Sequence, residues 1–153
     1  MSFPPGSKTN PIQSSKYKGP EIKPGSVVFC YSPQAKKFKR SIVLAINETG
    51  VLAFTAYFNS EKPFKNINKL AELQFHLKAE GTSFLNHDSY VNCAHPEKIP
   101  IIDIQKSISS NRKNHMGDIN PKKLDEIRTM VTNAYTVAPK TIKEFGLGDY
   151  IIK

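Results

Sequence analysis

Lys36-Lys-Phe-Lys-Arg-Ser-Ile-Val-Leu-Ala-Ile-Asn-Glu-Thr-Gly-Val-Leu-Ala-Phe-Thr55 reads as two strands joined by a tight turn. Its first part is a basic cluster, Lys36, Lys37, Lys39 and Arg40, which runs straight into the apolar segment Ser41–Ile46. Asn47-Glu-Thr-Gly50 joins residues that tolerate or cap left-handed backbone to a glycine, and Val51–Thr55 follows as the returning strand. The expectation is a hairpin with its cations on a loop at the mouth. Like charges repel, so such a loop does little to stabilise a fold and is suited to holding an anion.

Composition agrees with an anionic partner. The 153 residues carry 22 Lys and Arg against 13 Asp and Glu, a net charge of +9 that favours nucleic acid or another polyanion. The length suits one domain with tails. Cys30 and Cys93 lie in apolar surroundings, far apart and outside any Cys-x-x-Cys pair, and read as buried reduced thiols of a cytosolic protein. The opening Met1-Ser-Phe-Pro-Pro-Gly has no apolar leader core, and no apolar run reaches membrane-spanning length. A cytoplasmic location away from membranes is therefore expected.

Outward from the hairpin, residues 1–22 are rich in Pro, Ser, Gly and Lys without any period, and read as a flexible basic arm. Pro24-Gly25 precedes a first strand, Ser26–Tyr31. Residues 59–63 read as loop, 67–73 as a short helix, and Gln74–Lys78 and Ser89–Cys93 as strands. Ile99–Ile104 reads as an edge strand because of Pro100, and Ser107–His115 as a polar, basic stretch that exposes Arg112 and Lys113. Asn120-Pro121 opens an amphipathic helix with Leu124, Ile127, Met130, Val131, Ala134 and Tyr135 on one face, ending near Val137. Thr141–Lys153 reads as a small apolar satellite. The fold class expected is mostly β (α+β), a small open barrel of five to six short strands with a C-terminal helix packed on it.

The order of these features resembles the MazF/PemK family of toxin ribonucleases, whose SH3-like barrel is shared with CcdB-type gyrase poisons and with toxins controlled by RNA antitoxins. The likeness rests on Pro24-Gly-Ser-Val-Val28, on the basic segment ending in Arg40 before an apolar strand, and on Leu52-Ala-Phe-Thr55. It continues through Ser89-Tyr-Val-Asn-Cys93 and Met116-Gly-Asp-Ile-Asn-Pro-Lys-Lys-Leu124. It implies a barrel domain over 23–138 followed by an extension, 139–153. It also implies the toxin of a toxin–antitoxin system: a metal-independent endoribonuclease without cofactor, cutting single-stranded RNA by attack of a ribose 2′-oxygen on the adjacent phosphate. The partners implied are the RNA substrate, an antitoxin of protein or RNA, and a second copy in a homodimer.

On this resemblance Arg40 faces the scissile phosphate, where a guanidinium can hold two oxygens at once. Thr55 orients the phosphate or a proton. RNA contacts are expected from Lys36, Lys37, Lys39, Ser41 and Tyr57. The chain departs from the family pattern with Ser41 in place of proline, Ser26 in place of an acid, and Ala94-His95 in place of an Asp-Gln pair. His95 then takes the proton-transfer role. Tyr31, Phe38, Tyr57 and Phe58 lie near the basic segment and are candidates for stacking on unpaired bases. The histidines lack metal-ligand spacing, and no phosphate loop or nucleophile elbow is present. The alternative reading is a basic barrel that binds nucleic acid or a protein without chemistry.

Overall fold

The structure is a computed structural model that describes residues 17–64 and 67–153. Among these, seven strands form an antiparallel sheet: β1 (Ser26–Ser32), β2 (Lys37–Ile46), β3 (Leu52–Asn59), β4 (Gln74–Leu77), β5 (Ser89–Asn92), β6 (Glu97–Pro100) and β7 (His115–Asp118). Four helices accompany them: α1 (Asn68–Ala71), α2 (Ile101–Ser110), α3 (Pro121–Thr132) and α4 (Pro139–Glu144). The flexible arm expected over 1–22 lies outside the described residues up to position 16. From there on, Tyr17 and Ile22 pack against the core beneath α2.

The strand order is β4-β5-β3-β2-β1-β7, with β6 also on β3. β3 is the hub. Its first half, Leu52–Thr55, pairs with β6, while Phe58 and Asn59 pair with β5. A single strand that serves two neighbours on one edge must bend between them, and a bulge in β2 between Val43 and Ala45 supplies the matching curvature. The result is a strongly bent open sheet with helices on both faces.

That two-sided burial explains why β1–β3 read as unbroken apolar runs instead of alternating ones. Val27, Ile42, Leu44, Phe54 and Phe58 face one core with α3 and α4. Val28, Val43 and Ala53 face the other, under Ile104 and Ile108 of α2. Asn120 caps α3 as expected, its side chain accepting from Lys122 N–H at 2.8 Å. The helix ends at Thr132, short of Val137, so Tyr135 falls beyond it and is 65% exposed.

Seven strands form where five to six were expected, and four further sequence expectations need correction. The basic residues Lys37, Lys39 and Arg40 belong to β2 itself; the connecting loop is only residues 33–36, with Lys36 held at φ 56°. The strand expected at Ile99–Ile104 stops at Pro100, and Ile101, Ile104 and Ile108 recur at helical spacing in α2. A short β-branched run looks like a strand until the polar residues after it are included. The polar stretch after Ser107 contains the end of α2, a tight turn at Arg112–Asn114 and the start of β7, an unforeseen partner of β1. Ile142, Phe145 and Leu147 of the segment expected as a satellite join the main core, where Phe145 stacks on Phe54 with centroids 4.8 Å apart.

Candidate nucleic-acid interface

The basic segment is presented by the β1–β2 ladder, in which Phe29 stands opposite Arg40 and Tyr31 opposite Phe38. Side chains alternate across a strand, so Phe29, Tyr31, Phe38 and Arg40 share one face. The Phe29 and Phe38 rings lie 5.5 Å apart, and those of Tyr31 and Phe38 5.9 Å. Lys39, on the other face, donates to Asn59 Oδ1 at 3.0 Å and stands 5.0 Å over the Tyr57 ring.

The turn between the strands is anchored from a distance. Glu97 on β6 is buried, and its Oε1 accepts from the Ser32 hydroxyl at 2.8 Å and from Gln34 N–H at 2.9 Å. The Arg112–Asn114 turn is also tied down. Asn114 Nδ2 donates to the carbonyl and hydroxyl oxygens of Ser107, both at 3.0 Å, and the Ser107 hydroxyl donates to Phe29 O. This sets Lys113 beside β1.

These elements enclose an open cleft of about 490 Å³, lined by Phe29, Phe38, Phe58 and Met116 together with Lys37, Lys39, Arg40 and Lys113. Ser60 and Asn114 complete it. No carboxylate lines this cleft, and none of its four cations forms a salt bridge among the described residues. Burial, and then repulsion from Lys37 and Arg40, lower the Lys39 ammonium pKa from its ordinary value. A bound anion would relieve that repulsion.

Of the residues expected to act, the cleft collects Arg40, Lys37 and Lys39, with Tyr57 beneath the Lys39 ammonium. Lys36 is exposed in the turn and outside the cleft lining. Ser41 is buried, its hydroxyl bonded to the Cys30 thiol. Thr55 is fully buried and its hydroxyl donates to Glu97 O at 3.5 Å. His95 lines a separate groove with Gln34, Lys98 and Thr136, its ring 5.9 Å from that of Phe64. Arg40, Thr55 and His95 therefore occupy three different places.

Lys113, Asn114 and Met116 enter the cleft from far along the chain. The basic run Asn111-Arg-Lys-Asn-His115 was the signal for the first two, and nothing local assigned Met116 to the cleft. Glu97 had none, because nothing local marks a carboxylate for burial. Among the described residues no three His, Cys, Asp or Glu side chains converge as a metal-ligand set, and no helix is long and apolar enough to cross a membrane. The chain matches no protein-family model and no curated protein.

Proposed function

We propose that this chain takes single-stranded RNA into the β1–β2 cleft and cleaves it without metal, as a toxin endoribonuclease of MazF/PemK type on an SH3-like barrel. The observation that carries the reading is the cleft itself, with four cations and no carboxylate around a floor of phenylalanines. Phosphates suit the cations and unpaired bases suit the rings, whereas the bases of a duplex are already stacked on one another. Arg40, which lines the cleft, is the group we assign to the scissile phosphate. Its guanidinium holds the non-bridging oxygens as the ribose 2′-hydroxyl gives its proton to water and its oxygen bonds to phosphorus, while the bond from phosphorus to the 5′-oxygen breaks, that oxygen takes a proton from water, and a cyclic phosphate forms. An antitoxin of protein or RNA that restrains a cytoplasmic toxin of this kind would cover the same cleft, and the dimer implied by the family would have to leave it open.

A second reading, binding without cleavage, is favoured by the positions of Thr55 and His95. One is buried and hydrogen-bonded, the other lies in a different groove, and neither lines the cleft beside Arg40. A gel assay of a defined single-stranded RNA, with and without EDTA, separates the two. The nuclease reading expects EDTA-resistant cleavage that is lost in Arg40→Ala and retained in Thr55→Val and His95→Ala. RNA that is bound but left intact by inhibitor-free protein makes the chain a binding module.

A further inference from the structure

Beside the cationic cleft lies a second hollow of about 350 Å³, walled by Tyr31, Pro33, Phe38, Ile99 and Pro100, with Asp103 and Lys106 of α2 at its margin. Phe38 walls both hollows. It is 50% exposed, and Tyr31 beside it is 48% exposed. Their rings meet edge to face at 75°, so each turns a face in a different direction. Exposed aromatics held rigidly by a strand ladder present stacking surface at little entropic cost. The charges differ between the hollows. The cleft is wholly cationic, whereas Asp103 offsets Lys106 in the second, which disfavours phosphate and leaves the apolar surface as its asset.

We infer that Tyr31 and Phe38 form a base-stacking ridge that carries single-stranded RNA out of the Arg40 cleft, so that phosphates follow the cations and unpaired bases lie against the two rings. This rests on the cleft being an RNA site and adds how the site selects unpaired strands. The occupant is argued from two features: the ridge shares Phe38 with the cationic cleft, and its own margin is electrically balanced. Stacking on an aromatic ring does not depend on base identity, so the ridge would prefer single strands over duplexes with little choice of sequence.

The test uses a labelled RNA of about 12 nucleotides, within the span that single-strand binders occupy. Its riboses are 2′-O-methylated so that it cannot be cut. Affinity is measured against salt for the full-length protein, Tyr31→Leu, Phe38→Leu and Arg40→Gln, with the same strand in a duplex as competitor. Each leucine variant keeps the apolar surface and should bind about 5- to 150-fold more weakly with an unchanged salt slope. Arg40→Gln should flatten the slope by about 0.7. The chain has no tryptophan, so Tyr31→Trp supplies a single reporter. Its emission should be quenched by RNA and unaffected by inorganic polyphosphate. Leucine variants that bind like the parent while Arg40→Gln flattens the slope would overturn the ridge and leave the cleft standing. Equal affinity for strand and duplex also overturns the ridge. The absence of any salt-dependent RNA binding by the parent overturns the cleft and the ridge together.

Discussion

The Glu97 carboxylate accepts a 2.8 Å hydrogen bond from the hydroxyl of Ser32, a residue 65 positions earlier, and so fastens β6 to the start of the β1–β2 turn. Its second donor is Gln34 N–H, and Ser32 Oγ in turn accepts from Ala35 N–H at 3.1 Å. Replacing Glu97 by Ala leaves these donors without an acceptor at a buried site, at a cost of about 1–3 kcal/mol. Urea denaturation of Glu97→Ala should show that loss, and Glu97→Gln, which keeps an oxygen acceptor, should recover part of it. Parental stability in the alanine variant would mean that the turn holds without this anchor.

Lys113 reaches the cleft from a different part of the chain than Arg40, yet both line it. Lys113→Gln should therefore weaken RNA binding and lower the salt slope by about 0.7, with an unchanged melting temperature. A substitution at the equally exposed Lys153, at the chain end and outside the cleft lining, should leave the slope alone.

Burial raises the thiol of Cys93 from its ordinary value of 9.0 to about 12 and that of Cys30 to about 11, the latter with help from the Glu97 and Asp103 charges. The folded state disfavours both thiolates. This contribution is complete below pH 9, where the unfolded thiols are still protonated, and is lost as pH rises from there through about 11 to 12. Cys93→Ala should be less stable at neutral pH but should lose less stability than the parent between pH 9 and 11. In the native protein at pH 8, thiol reagents should react with neither cysteine until it unfolds.

Asp88 joins the ends of β4 and β5, accepting from Ala79 N–H at 2.9 Å and pairing with His76 Nε2 at 3.0 Å. The backbone bond first, and His76 second, hold its carboxyl below the ordinary value of 3.8. A depressed carboxylate contributes stability above its unfolded pKa and loses it as pH falls through the folded one. Thermal melts of Asp88→Asn should consequently depend less on pH below 3.8 than melts of the parent.

Phe145 lies flat against Phe54, with 13° between the rings. Phe145→Ala should cost about 3–5 kcal/mol, as removal of a buried aromatic does. A loss under about 1 kcal/mol would instead mark the last segment as a loosely docked satellite.

How much was legible from sequence follows the range of the forces involved. The Asn47–Gly50 turn, the strand runs around it and the Asn120-Pro121 start of α3 are set by backbone preferences and periodicity within a few residues, and they appear where expected. The cationic character of the Arg40 segment was equally local, since charge needs no fold to be counted. Neighbours in sequence decided none of the rest. Whether Thr55 meets solvent depends on β6, which pairs against it and takes its hydroxyl. Whether Ile101–Ile108 forms a strand or a helix depended on the second face of the sheet, which needed a cover. Lys113 came to Arg40 because β7 pairs with β1 and Asn114 bonds to Ser107. Charge and turn chemistry are properties of single residues and short runs, whereas burial and the meeting of distant side chains exist only once the chain has closed its sheet.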